Sequence, residues 1–138
     1  MSTTTFTNYK ETLQNSTVDV IEELLLDNYC LDSILEFIDQ YDEQKFIDHY
    51  ETYVALGEQY SYEAVDAFID YYEDLTLLEK FKDAYMGCYE TVEEFSKEYY
   101  NENYFIPSHF YMDWSKTWEY NLSIDHIMIS NFIFNKNF

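Results

Sequence analysis

The stretch Phe81–Phe95, FKDAYMGCYETVEEF, places Gly87 between two short amphipathic runs. On its N-terminal side, Leu77, Leu78, Phe81, Ala84 and Tyr85 recur at helical spacing. Thr76-x-x-Glu79 reads as a capping box opening that helix. Gly87 reads as its stop, because glycine alone enters a left-handed conformation without strain. On the C-terminal side, Thr91-x-x-Glu94 is a second capping box, predicting a helix to about Glu102. A long acidic band precedes the stretch, and an aromatic, nearly neutral segment follows it.

The acidic band reads as helices. Val18, Ile21, Leu24 and Leu25 predict one over 17–28. Leu31, Ile34, Leu35 and Ile38 predict another over 31–41. Phe46, Ile47, Tyr50, Tyr53 and Val54 predict a third over 43–56, ended by Gly57. Ser61 is the expected N-cap of a helix over 62–74, with Ala64, Val65, Phe68, Ile69 and Tyr72 on its apolar face. Beyond Pro107, Asp113 is positioned to cap a short helix bearing Trp114 and Trp118. The end, HIMISNFIFNKNF, predicts strands 126–129 and 132–135 around Ser130-Asn131.

These elements predict an α+β fold, predominantly α-helical: an elongated chain of small helical units with a short C-terminal β-hairpin. The expected organisation is a polar N-terminal tail over 1–16, with a tail or edge strand at 1–10. An acidic helical region follows over 17–58, a second over 59–102, and an aromatic C-terminal α/β segment over 103–138.

Charge is the dominant feature of the composition. The 138 residues hold 28 acids against seven lysines and no arginine, for a net charge of −21. Such a chain lacks the basic footprint that nucleic acids and anionic membranes require, so neither is an expected partner. A basic protein is. The aromatic share is 21%, with 16 Tyr and 11 Phe, and residues 99–138 combine many of these rings with few charges. Within it, 107–138 is the expected homodimer interface, through Phe110, Tyr111, Trp114 and Trp118.

Nothing in the sequence equips the chain for catalysis. Carboxylates are too numerous for any two to stand out as an acid/base pair. His49, His109 and His126 are isolated, and no metal-ligand, nucleotide-loop or nucleophile motif occurs. No enzyme activity, cofactor or metal is expected. Cys30 and Cys88 stand in no redox or metal spacing and read as reduced, buried thiols of a cytoplasmic protein. The opening MSTTTFTNYK does not read as a signal peptide, and no apolar run approaches a membrane span.

The placement of the acids is more telling than their number. A solvated helix face ordinarily mixes lysine with glutamate, because opposite charges four residues apart stabilise and like charges destabilise. Helix 17–28 carries Asp19, Glu22, Glu23 and Asp27, read as unpaired, and helix 31–41 carries Asp32, Glu36 and Asp39. Helix 62–74 carries Glu63, Asp66, Asp70, Glu73 and Asp74 as one stripe. None of the three contains a base. Accepting this self-repulsion three times points to a selected negative surface that imitates phosphates. At one charge per ~1.7 Å of duplex axis, the chain's charge equals that of about ten base pairs.

The run Phe81, Ala84, Tyr85, Gly87, Tyr89, Val92, Glu93, Glu94, Phe95 resembles the F-x-x-A-Y-x-G-x-Y-x-(S/T)-x-E-E-(F/Y) run of ArdA-type antirestriction proteins. Pro107 and His109, then Tyr111-Met112-Asp113-Trp114, Trp118 and Leu122, resemble that family's following segment, as does an end containing Phe132 and Phe134. More loosely, Ser61 to Glu73 is similar to its middle helix. The resemblance implies a curved, dimeric DNA mimic that occupies the DNA groove of type I restriction-modification enzymes inside a bacterial host cell. It covers about 60–138. The chain departs from the family in being short, in having helices at 17–56 where an α/β unit is usual, and in a shortened Pro-to-Asp spacing. The same acidic surface would serve equally as a mimic or chaperone for another basic DNA-binding protein, such as a nucleoid protein, repair enzyme or CRISPR effector. A third reading is a structural or halophilic protein whose acids only solubilise it.

Overall fold

A computed structural model of the chain describes residues 9–138. The expected tail or edge strand over 1–10 lies almost wholly outside them. Residues 9–12 are helical and Tyr9 is buried, so this part of the expected polar tail is structured. The helices are α1 (Asn15–Leu26), α2 (Leu31–Gln40), α3 (Glu43–Gln59), α4 (Tyr62–Tyr72), α5 (Phe81–Ala84), α6 (Val92–Asn103) and α7 (Trp114–Tyr120). Two 3-10 turns cover Leu75–Lys80 and Leu122–Ile124. The strands are β1 (Tyr85–Cys88), β2 (His126–Ile129) and β3 (Phe132–Asn135). The fold is α+β and predominantly helical, as expected, and the chain divides into two compact units at Glu58/Gln59.

The first unit is helical. Ile21, Leu24, Leu31, Ile34, Phe46 and Tyr50 are buried as their spacing predicts, while Phe37, outside the predicted face of α2, is buried in place of Leu35 and Ile38, which are half-buried. Tyr50 is the hub: its ring lies 5.2 Å from Phe37 in a T-shaped contact and 5.3 Å from Phe46. Such ring pairs add to the area they bury. Gly57 does not end α3, which runs on to Gln59 with Gly57 buried inside it. A single glycine costs a helix about 1 kcal/mol relative to alanine, too little to stop one already held by packing. The chain turns extended only at Ser61, whose Oγ accepts from Ala64 N at 3.3 Å and opens α4.

The second unit is built around a three-stranded antiparallel sheet of order β1-β3-β2. The C-terminal hairpin has the predicted bounds, with Ile129 opposite Phe132 and Ser130 at positive φ in the turn. The third strand, β1, is a correction to the predicted helix ending at Gly87. The helical spacing across Leu77–Tyr85 covers a 3-10 turn and only the single turn of α5, after which Tyr85–Cys88 pairs with β3. The predicted cap is also displaced. Asp74 is the N-cap, its Oδ1 accepting from Thr76 N at 2.9 Å and from Thr76 Oγ1 at 2.6 Å. Thr76 donates where it was expected to accept, because Asp74 reaches the free N–H groups first.

Central strand β3 is buried on both faces. Phe134 faces Phe68 of α4 at 5.3 Å and Phe81 at 5.9 Å. Ile133, on the opposite face, packs with Phe95 and Leu122. Gly87 lies opposite Ile133 at a bulge between Tyr85 and Gly87, with φ 128°. A Cβ there would stand 3.1 Å from the Tyr89 ring. Gly87→Ala should therefore lower unfolding stability by about 1–3 kcal/mol, read by denaturant titration.

Thr91 caps α6 as predicted, its Oγ1 accepting from Glu94 N at 3.1 Å. Glu94 reaches back to Glu90 N at 3.3 Å. Asp113 caps α7 through Lys116 N at 3.1 Å. Residues 103–138 belong to the same compact unit as 59–102.

Candidate partner-binding surface

The acids follow from the helices. With the apolar spacing of each helix turned inward, its acids have nowhere to go but outward. Asp19, Glu22, Glu23, Asp27, Asp32, Glu36, Asp39, Glu63, Asp66, Asp70, Glu73 and Asp74 are all exposed. Charge is shared almost evenly. The first unit holds thirteen acids and two lysines, the second fifteen acids and five lysines.

Two expected details change. Glu22 is paired: Lys10 Nζ lies 3.3 Å from its Oε1, supplied by the helical turn at 9–12 rather than by α1 itself. The five-acid stripe on α4 shortens to three. Glu73 sits past the helix end at φ 55° and Asp74 caps the next turn, so neither continues the row. Glu63, Asp66 and Asp70 remain, separated by rises of about 4.5 and 6 Å. A second row was missed. Glu94, Glu98 and Glu102 lie exposed at four-residue spacing on α6, a spacing present in the sequence itself.

The field of these acids acts on neighbouring tyrosines. Tyr89 is pushed up to about 12, first by burial and then by its hydrogen bond to, and the charge of, Glu98. Tyr50 is pushed up to about 12, mainly by burial, with Cys30, Tyr29 and Glu36 adding. Both folded values exceed the free tyrosine value of about 10. Their stabilising contribution is complete below pH ~10 and is lost as pH rises through ~12. Melting temperature should fall across that window in step with tyrosinate absorbance. Tyr50→Phe should flatten the fall for the first unit.

The four expected interface aromatics separate. Phe110 and Tyr111 are exposed, at 61% and 89%. Trp118 packs on the Phe95–Leu122–Ile133 cluster, 6.0 Å from the Phe95 ring, and so serves the core. Trp114 is half-buried, 6.2 Å from Tyr100.

The cysteines are also corrected: both are free and exposed. Cys30 occupies the N-cap position of α2, and Cys88 ends an outer strand, so neither points inward. Backbone and side-chain hydrogen bonds from Ser33 and a backbone bond from Asp32 hold the Cys30 thiol below its usual range. His126 is buried, with Nδ1 3.0 Å from Leu122 O. Among the described residues, no three His, Cys, Asp or Glu side chains converge as a metal site, and no helix is long and apolar enough to cross a membrane.

No family model, curated protein or solved structure matches this chain.

Proposed function

We propose that this chain is a non-catalytic DNA mimic that binds the DNA groove of a type I restriction-modification enzyme and inhibits it by occupancy. The observation that carries this reading is the outward display of acids on successive helices of both units, with almost equal charge on each. A groove lined with Lys and Arg attracts such a surface by the electrostatics that attract DNA. The similarity of Phe81–Phe95 to ArdA-type proteins supplies the choice of target.

Several residues of that run have structural duties. Phe81, Ala84 and Phe95 are buried, Gly87 occupies a positive-φ bulge, and Glu94 completes a cap. The run therefore speaks to fold more than to target. That favours keeping a second reading, in which the same surface occupies another basic DNA-binding protein.

The test is restriction of unmodified phage DNA by purified type I enzymes with this protein titrated in. Inhibition should saturate near stoichiometry and weaken as salt rises, because counterion exchange governs contacts between charged surfaces. No inhibition across several type I enzymes would overturn the first reading, and capture of a different DNA-binding protein from host lysate would establish the second.

A further inference from the structure

A uniform negative surface attracts any basic protein, so charge alone gives little selectivity. The second unit carries a feature of another kind. Between α6 and the segment 106–115 lies an open groove of about 680 Å³. Ile106, Pro107, Phe110, Met112 and Trp114 supply its apolar wall. Tyr111 also lines it and is 89% exposed. Pro107 fixes the backbone, and Phe110 N donates to Pro107 O at 3.0 Å in a tight turn. The groove is thus a formed feature of the segment.

The charged groups lining it are Glu93, Lys97 and Asp113. Asp113 is committed to capping α7, and Glu93 and Lys97 stand four residues apart on α6. The groove itself is nearly neutral, while the unit around it holds fifteen acids and five lysines. Any occupant must approach through that field. A second copy, also at −21, is repelled by it, whereas a cationic surface is drawn in.

We propose that this groove receives an apolar or aromatic side chain, flanked by lysine or arginine, from the basic protein that the acidic surface attracts. The inference rests on the proposed decoy function and adds to it an anchor that distinguishes one basic protein from another. Burial of that side chain is insensitive to salt, so the anchor contributes most when electrostatic attraction is screened.

Three labelled probes test this by fluorescence anisotropy: a lysine–serine peptide, the same peptide with one central tryptophan, and the tryptophan peptide with glutamate in place of lysine. The intact chain should bind the basic tryptophan peptide more tightly than the lysine–serine peptide by on the order of tenfold. It should leave the glutamate peptide unbound. The double variant Phe110→Ser, Tyr111→Ser alters exposed side chains and should melt like the parent. It should lose the tryptophan advantage while binding the lysine–serine peptide unchanged. Equal affinity of the intact chain for the two basic peptides would overturn the anchor and leave the decoy reading standing. Failure of both to bind at low salt would overturn the two together. Self-association in sedimentation that disappears in the double variant would assign the groove to a second copy, and the proposal would fall.

Discussion

Phe81→Ala should lower the stability of the Gln59–Phe138 unit by about 3–5 kcal/mol, the range for truncating a fully buried phenylalanine. Phe81 has no exposed surface. Its ring meets Phe68 at 5.4 Å, Tyr85 at 5.1 Å, Tyr60 at 5.4 Å and Phe134 at 5.9 Å. These partners come from α4, β1, the segment before α4, and β3. Removing the ring leaves a cavity that four separate elements would have to collapse into, and close-packed interiors relax only in part. For a unit of this size the melting temperature should fall by on the order of 20 °C. Phe105→Ala, at a 90% exposed position, is the control and should change stability by no more than about 0.5 kcal/mol. A Phe81→Ala protein melting within a few degrees of the parent would mean that the sheet is not held by this cluster.

The second large effect concerns the acidic face. Neutralising Glu63, Asp66 and Asp70 together (E63Q, D66N, D70N) should weaken inhibition of the target by on the order of tenfold at low salt, since exposed charge pairs contribute about 0.2–1 kcal/mol each. Each single change should weaken it by about twofold, because a distributed field is a sum in which no member dominates. The gap between parent and triple variant should close as salt rises. The triple variant should also melt slightly higher, because like charges at this helical spacing repel by a few tenths of a kcal/mol. Loss of inhibition from Asp70→Asn alone would exclude a distributed mimic and point to a specific contact.

The two predictions separate two kinds of residue within one chain. Core aromatics such as Phe81 and Phe134 set whether the second unit folds. The α4 acids Glu63, Asp66 and Asp70 project outward and, under the proposed function, face the partner, so they can be altered without touching the core. This separation lets inhibition and stability be read independently on the same variants.

Most of the helical architecture is legible in local signals along the chain. Apolar spacing located α1 to α4, and side-chain caps at Ser61, Thr91 and Asp113 marked the starts of α4, α6 and α7, because these signals act within one or two turns. The hairpin over His126–Asn135 was equally local. Outward placement of the acids followed from the same periodicity. Tertiary structure alone decided the rest. Tyr85–Cys88 is a strand because Phe132–Asn135, more than forty residues away, offers a free edge to it. Its own four residues carry no strand pattern, and strand preference depends on the neighbours a strand finds. Gly57 stays within α3 and Gly87 sits at a bulge. The same residue type is burial-tolerated in one place and conformationally required in the other, a difference set by the backbone around it. Lys10 reaches Glu22 across a turn, Trp118 joins the core, and Phe110 and Tyr111 remain outside. Each of these outcomes depends on which elements meet in space, and that information is distributed over residues far apart in the chain.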